Sequence, residues 1–194
     1  KILRNLKIEN KNINCLAIIP IKESYDDNKD VPFIKFENKT LIEHALNSIS
    51  SSHFINNTII STSSKKVIEY VNKLKKENIK NFFLVKRPKK ISNYAFQIKK
   101  TLLHAVKNYK TKFKKEPDLV IYLSLHTIRR GGDYINQAIK TILYKKYETV
   151  ISVSEEKNPI FQYNPKSLKP INISKFEHSY QISDKLFRFN GAFI

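Results

Sequence analysis

The stretch that decides the fold is Cys15-Leu16-Ala17-Ile18-Ile19-Pro20, which contains no charged side chain. A run this continuously apolar is typical of a parallel strand buried on both faces, because a half-exposed strand alternates apolar and polar residues. A polar loop without glycine follows over 21–31. A helix is predicted from Thr40, since Thr40 and Glu43 have the spacing of a capping box. The three pieces predict a βα unit that resembles a phosphate-handling unit but lacks the usual loop glycine.

The same rhythm of strand and helix continues along the chain. Further strands are predicted at 58–62, 82–85, 118–123 and 149–153, with helices over 64–77, 94–109 and 133–144 between them. A polar, Lys-rich linker is expected between 109 and 118, and an irregular excursion from Glu155 to a returning strand at 186–194. This alternation predicts an α/β fold with a mostly parallel sheet. Ligands of such sheets bind beyond the carboxyl ends of the strands, so the loops after Ile19, Thr62, Val85, Leu123 and Val153 are expected to form the site.

Length and composition favour one ordinary globular domain over 1–194, with 41% hydrophobic residues. The absence of an apolar run near 18 residues predicts no membrane insertion. Cys15 is the single cysteine, which excludes an internal disulfide and favours a cytoplasmic location. The chain begins without Met and stops at Ile194 inside a predicted strand, which is compatible with truncation at the C-terminus.

The net charge of +19 suggests an acidic partner such as nucleic acid. However, 31 of the 36 basic residues are Lys and only five are Arg, the side chain that binds phosphates and base edges in a bidentate manner. The Lys residues are also spread over several segments. Solvated helix faces explain this pattern better, so nucleic-acid binding is kept as an unlikely alternative that predicts steeply salt-dependent binding.

Several stretches resemble motifs of the acylneuraminate cytidylyltransferase family, the enzymes that make CMP-activated nonulosonic acids. They occur in the family's order and span nearly the whole chain. The opening strand and helix start are similar to the family's first strand and its GKPLIE-like motif, and the others to its VSTD strand, RP motif, LLHAL helix and YRxNGA strand. In this chain the matching residues are Ala17–Pro20, Lys39–Glu43, Ile59–Thr62, Arg87-Pro88, Leu102–Ala105 and Phe187–Ala192.

The resemblance implies a Rossmann-like three-layer sandwich of the nucleotide-diphospho-sugar transferase type. It implies an enzyme that binds CTP, uses Mg²⁺ and transfers CMP to an acidic sugar with loss of pyrophosphate, and it implies a homodimer. The metal ligands cannot be identified in this chain, so no metal-binding residue is predicted. Such chemistry needs positioned cations around the triphosphate more than it needs covalent help.

The nucleotide loop departs from the family's pattern. Lys22 stands where the family has Arg, Glu23 and Ser24 replace two glycines, and Asp26 and Val31 replace two Lys residues. By resemblance, Lys22 is the catalytic and nucleotide-binding cation and Ser24 a further nucleotide ligand. The acids put negative charge where a triphosphate would lie, which costs roughly 1 kcal/mol per close pair even in water. They must turn away or be neutralised for CTP to bind.

Other candidates come from the later motifs. The resemblance implies that Arg87 contacts the nucleotide base, although a surface Arg at a strand end explains it equally well. Arg188 and Asn190 are predicted to hold the substrate, because Asn-Gly inside a strand suggests a close approach of the backbone. Arg129 is a further substrate candidate, since Arg129 and Arg130 precede a predicted helix start that could hold an anion. His126 could serve in acid–base chemistry, although a surface histidine is the simpler interpretation.

More of the family's pattern is lost elsewhere. The glutamine expected after the central strand is absent, and Tyr94 and Lys100 stand at acidic positions. Two function classes therefore stay open. The leading one is CMP transfer from CTP to a nonulosonic sugar in surface-glycan biosynthesis, and its rival is a non-catalytic binding or scaffolding domain with the same fold.

Overall fold

The computed structural model describes residues 13–23, 25, 30–76, 82–91, 98–128, 131–176, 180–182 and 185–193. Of the sequence predictions, those on Ser24, Asp26, Tyr94, Arg129 and Arg130 fall outside these ranges. In chain order, the strands are β1 Cys15–Ile21, β2 Lys35–Phe36, β3 Lys39–Thr40, β4 Ile55–Thr62, β5 Phe82–Lys86, β6 Leu119–Leu123, β7 Ile151–Glu156, β8 Phe161–Asn164, β9 Ser167–Pro170, β10 Ile173–Phe176, β11 Tyr180–Ile182 and β12 Leu186–Phe193. The α-helices are α1 Leu41–Ser50, α2 Lys65–Lys76, α3 Ile98–Phe113 and α4 Gly132–Lys145.

The main sheet has six strands in the order β5-β4-β1-β6-β12-β7. β5, β4, β1 and β6 are parallel, as predicted, and β12 runs antiparallel to its neighbours β6 and β7. β1 lies at the centre, where Ile18 pairs with Ile59 of β4 and with Tyr122 of β6. Its continuous apolar sequence follows from this place, because both faces of a central parallel strand are covered.

Helices cover both faces of the sheet, which confirms the three-layer sandwich. Cys15, Ala17 and Ile19 of β1 pack on one face with apolar side chains of α1, α2 and α4. Leu16 and Ile18 pack on the other face with Ala105 and Tyr109 of α3. All five β1 side chains are fully buried. Within the described residues, no helix is long and apolar enough to cross a membrane.

The predicted capping box at the start of α1 is confirmed. The Thr40 hydroxyl accepts a hydrogen bond from the Glu43 amide at 3.2 Å, and the Glu43 carboxylate accepts one from the Thr40 amide at 2.7 Å. The Tyr70 hydroxyl of α2 also donates to this carboxylate at 3.0 Å. Burial alone would raise the pKa of Glu43, but the bonds from Thr40 and Tyr70 lower it overall.

Two predictions on the connecting segments are wrong. The Lys-rich linker after residue 109 is the last turn of α3, because Phe113 packs against Tyr109 and Phe83 and because cations are favourable at a helix C-terminus. The irregular excursion after Glu155 instead contains two antiparallel hairpins, β8–β9 and β10–β11. β7 also extends to Glu156 and is separated from β6 by β12.

Candidate functional site

The carboxyl ends of four parallel strands meet at one edge of the sheet. β1 ends at Ile21, β4 at Thr62, β5 at Lys86 and β6 at Leu123, so the loops predicted to follow these strands lie together. The loop after β7 does not join them. Leu123 pairs with Ala192, whereas Ser154 of β7 pairs with Arg188. β7 and the first half of β12 therefore project beyond the edge by roughly 13 Å, the length of four strand residues.

Arg87 lies at the centre of this edge and is not a surface residue. Only 4% of it is exposed. Its Nη2 donates to the carbonyl of Ile21 at 2.8 Å, and its backbone amide donates to the carbonyl of Thr62 at 2.8 Å. Burial lowers the pKa of the guanidinium, while the nearby Tyr25 raises it. Arg87 thus ties the end of β5 to the ends of β1 and β4, and it holds the backbone next to Lys22.

Tyr25 fills the space beside Lys22 and Arg87. Its hydroxyl accepts a hydrogen bond from the Lys22 amide at 3.2 Å, and the Lys22 ammonium lies 5.8 Å from the ring centroid. The ring meets that of His126 edge-on, with centroids 5.4 Å apart. Burial raises the pKa of Tyr25, opposed by the Lys22 hydrogen bond and the charge of Arg87. Lys22, Tyr25, Arg87 and His126 therefore form one cluster, which we call the edge cluster.

The sequence analysis missed Tyr25. The signal was present, because an aromatic residue in a polar loop after a buried strand has an apolar ring that needs cover. Comparison with the family drew attention to the exchanged glycines and Lys residues and not to this ring. In the structure the ring occupies part of the place where the family's loop would receive a nucleotide.

Two acids of the loop turn towards α2. Glu23 accepts a long hydrogen bond of 3.5 Å from the Ser63 hydroxyl, and Asp30 forms an ion pair with Lys66. Both partners belong to the start of α2 or the residues just before it. The repulsion that these acids would exert on a triphosphate is therefore reduced, as the sequence analysis required. Asp26 and Asp27 lie outside the described residues.

Behind Arg87, two buried polar atoms have no hydrogen-bond partner among the described residues. They are Oγ of Ser61, in a residue that is fully buried, and Nδ1 of His104. Strand alternation puts Ser61 on the same face as Ile59, against α3, which also carries His104. Burial lowers the pKa of His104, and the charges of Arg87 and Lys107 lower it further. Unpaired buried polar atoms are rare, and a bound polar ligand is one way to satisfy them.

Arg188 is held outside the edge cluster. Its guanidinium forms an ion pair with Glu156, and 72% of its side chain is exposed. Glu156 is itself buried, and its carboxylate also accepts bonds from the amide and the side chain of Asn158 at 3.0 and 2.9 Å. These bonds lower the pKa of Glu156, and the charge of Arg188 contributes. The backbone of Asn190 lies in β12 between Arg188 and Gly191.

Gly191 confirms the predicted close approach of the backbone. Its φ is +97°, and a Cβ atom there would lie 3.1 Å from Ser124 Cβ and from Thr127 Oγ1. The Gly191 carbonyl accepts a hydrogen bond from the Ser124 amide at 3.0 Å. A side chain at this position would push β12 away from the loop after β6.

The start of α4 contacts protein rather than open solvent. The Gly132 amide donates to the Ser51 hydroxyl at 3.0 Å, and a Cβ on Gly132 would lie 2.4 Å from the Ser51 carbonyl. One amide of the predicted anion site is therefore already paired, and Arg129 lies outside the described residues. A cavity of about 680 Å³ opens beside this contact. Its lining contains none of the predicted site residues: Phe36, Glu37, Lys39, His44, Asn47, Ser48, Ser50, Ser51, Ile128 and Gly131.

The described residues do not form a magnesium site. Mg²⁺ prefers several oxygen ligands in a near-octahedral arrangement. Glu23, Asp30 and Glu156 instead contact Ser63, Lys66 and Arg188. Across the ranges that the structure describes, no three His, Cys, Asp or Glu side chains lie together in a way that could hold a metal ion. The chemistry considered below therefore includes no step through a metal.

No protein-family model and no curated protein matches this sequence. Solved structures do match. A CMP:2-keto-3-deoxy-manno-octonic acid synthetase complexed with CTP aligns with a TM-score of 0.63 and 10% identity over 93% of this chain and 73% of its own. The 4-diphosphocytidyl-2C-methyl-D-erythritol synthase of Anaerococcus prevotii DSM 20548 aligns at 0.59 and 12%, over 94% and 70%. A second such synthase aligns at 0.62 and 11%, over 93% and 74%.

These identities are low, so the likeness concerns the fold. The similar structures are cytidylyltransferases by name, and the chain covers more than two thirds of each. None is an acylneuraminate cytidylyltransferase, so that narrower resemblance stays a prediction. The chain has the Rossmann-like α/β fold that these cytidylyltransferases share, with its edge cluster at the carboxyl ends of the parallel strands.

Proposed function

We propose that this chain is a cytidylyltransferase that transfers CMP from CTP to an acidic sugar of the nonulosonic class in surface-glycan biosynthesis. The observation that carries the proposal is the meeting of Lys22 and Arg87 at the carboxyl end of β1. These cations come from separate motifs, and Arg87 donates to the residue just before Lys22. A triphosphate needs such cations, because negative charge accumulates on its oxygens as the phosphoryl group is transferred. The resemblance also implies a cytoplasmic enzyme that works as a homodimer.

In the proposed reaction, the anomeric hydroxyl oxygen of the sugar attacks the α-phosphorus of CTP. A new oxygen–phosphorus bond forms, the bond to the β-phosphate oxygen breaks, and pyrophosphate leaves with the electron pair. The hydroxyl proton passes to solvent. Lys22 would contact the phosphates through its exposed ammonium. The unpaired Ser61 hydroxyl and the donors of Arg87 offer polar partners on the α3 side of the edge.

The second candidate is a binding or scaffolding domain without catalysis. Tyr25 favours it, because its ring lies against Lys22 and His126 at the edge. The loop also lacks the glycines that let backbone amides approach phosphates. In this alternative Tyr25 is a permanent part of the core of the loop.

Pyrophosphate release from CTP separates the two candidates. The purified chain with Mg²⁺ and a panel of nonulosonic acids should release pyrophosphate, and Lys22→Ala should lower the rate by roughly 100-fold, the usual cost of one stabilising donor. Lys73→Ala removes an exposed Lys of α2 as the matched control and should leave the rate unchanged. No release with any sugar would reject the proposed activity.

Calorimetry with CTP adds an independent measurement. Micromolar binding that weakens in Lys22→Ala but not in Lys73→Ala would reject a scaffold that has no nucleotide site. Absence of binding up to millimolar CTP would favour the scaffold. Tyr25→Ala then shows whether the ring opposes the nucleotide, since removal of an obstructing ring strengthens CTP binding.

A further inference from the structure

The pair β7–β12 exposes an apolar face that no helix covers. Val153 pairs with Phe189, and residues two apart on a strand share a face, so Ile151, Val153, Phe187 and Phe189 lie on the same side. Their exposed fractions are 54%, 41%, 59% and 51%. The opposite side of the pair carries Arg188, bound to Glu156. One face of this projecting pair is thus apolar and the other polar.

The segment after α4 has no buried apolar core within the described residues. The buried hydrophobic side chains end at Ile142. Hairpin β8–β9 adds Phe161, Tyr163 and Leu168, which are 42%, 74% and 64% exposed. Tyr163 pairs with Leu168, so these side chains again share a face. Isolated hairpins are marginally stable in water unless a hydrophobic face is covered, so this segment needs a partner surface.

The exposed area is large enough for a stable contact. Together these seven side chains and Ile171, which is 44% exposed, present roughly 800 Å² of surface. That equals the area that each partner contributes to a protein–protein interface of standard size. Exposed apolar patches of this extent are rare on monomers and mark interaction sites.

The composition of the surface favours a second copy of the same chain. Glu155 is the only charged residue among 151–154, 187 and 189 and their strand partners on this face, whereas the chain as a whole carries +19. An acidic partner would be attracted to the Lys-rich helices and not to this face. Two copies related by a two-fold axis can bring the same apolar patches together while their Lys residues stay in solvent.

We propose that Ile151, Val153, Phe187 and Phe189, with the apolar face of β8–β9, form the contact between two copies of this chain. We call this set the arm surface. The two arm surfaces pack face to face, as two sheets do at a separation of about 10 Å. The inference deepens the homodimer of the proposed function by naming its contact, but it rests on exposure and area and not on the transfer of CMP.

Sedimentation velocity on the 194-residue chain tests the contact. The wild-type chain should sediment at twice the monomer mass of 22.8 kDa at micromolar concentration. Phe187→Glu should raise the dimer dissociation constant by roughly 30-fold or more, as expected for a central interface residue. Leu103→Glu is the matched control, since Leu103 on α3 is also 59% exposed. A monomeric wild-type chain, or a dimer that Leu103→Glu weakens as much as Phe187→Glu, would overturn the proposal.

Cross-linking locates the contact without disrupting it. Cys15 is fully buried, and burial raises the pKa of its thiol to about 11, so an introduced cysteine is the reactive thiol. A bis-maleimide with a spacer of about 10 Å should join two copies of Val153→Cys and not of Leu103→Cys. Equal joining of both variants would contradict the arm surface. Pyrophosphate release is measured separately, so a dimer without activity would reject the proposed function and leave this contact standing.

Discussion

β1 and β12 are apolar strands of the same sheet, yet their surroundings are opposite. β1 is paired on both sides and covered by helices on both faces, and its side chains from Cys15 to Ile19 are fully buried. The first half of β12 pairs only with β7, and Phe187 and Phe189 remain more than half exposed. An apolar pattern therefore specifies that a strand needs cover. Its neighbours decide whether the chain itself supplies that cover.

The largest effect is expected from a cavity in the central strand. Ile18→Ala should lower the free energy of unfolding by roughly 2–5 kcal/mol, because Ile18 is fully buried between β4, β6 and α3. Phe187→Ala is the contrasting variant. In solutions dilute enough to keep the chain monomeric, it should change stability by less than about 0.5 kcal/mol. Urea unfolding of both variants measures the contrast, and equal losses would show that β12 is covered within one chain.

A smaller loss is expected when the clamp at the carboxyl edge is removed. Arg87→Met keeps much of the apolar stem but leaves the carbonyl of Ile21 without its donor. We expect a loss of roughly 1–3 kcal/mol in unfolding free energy and weaker CTP binding. Arg188→Met, which removes a mostly exposed partner of Glu156, is the control from the arm. A stable Arg87→Met variant with unchanged CTP binding would refute the role of Arg87.

The junction of the two regions at Gly191 gives the next test. Gly191→Ala should destabilise the fold by about 1–2 kcal/mol, because φ is +97° and the new Cβ crowds Ser124 and Thr127. Gly131→Ala should change stability little, since Gly131 has φ −76° and no atom within 4 Å of an added Cβ. Thermal unfolding compares the two alanine variants. Similar melting temperatures would contradict the close approach of β12 to the loop after β6.

The smallest effect concerns the cap of α1 and depends on pH. The folded-state pKa of Glu43 is lowered from its usual value of 4.5, so its contribution is fully present above that value and is lost as pH falls through the folded pKa. Glu43→Gln should therefore cost about 1 kcal/mol at pH 7, and the gap to wild type should narrow below pH 4.5. Glu69→Gln, on the exposed side of α2, serves as the control. A gap that does not change with pH would refute this assignment.

Local patterns predicted much of the first region. The strand Cys15–Ile21, the capping pair Thr40 and Glu43 and the apolar faces of the helices each follow from side-chain spacing within a few residues. The close approach at Gly191 was also predicted, because glycine inside a strand usually marks such a place. These features depend on the chemistry of adjacent residues, which the sequence displays directly.

The rest of the site depended on contacts between distant segments. Residue order does not show that Arg87 binds the carbonyl of Ile21, that Tyr25 meets His126, or that β12 enters between β6 and β7. The hairpins after Glu156 were missed because their strands are short and rich in polar residues and proline. Pairing made these residues into strands, although their local pattern did not predict it.

The sequence by itself determined the α/β class, the central position of β1 and the start of α1, because hydrophobic spacing and capping act over a few residues. Only the tertiary structure decided which cations meet at the carboxyl edge, which loop acids turn towards α2 and which apolar face stays uncovered. Those outcomes depend on long-range pairing of strands and on the free energy of burying one side chain against another. Neither can be read from neighbours in the chain.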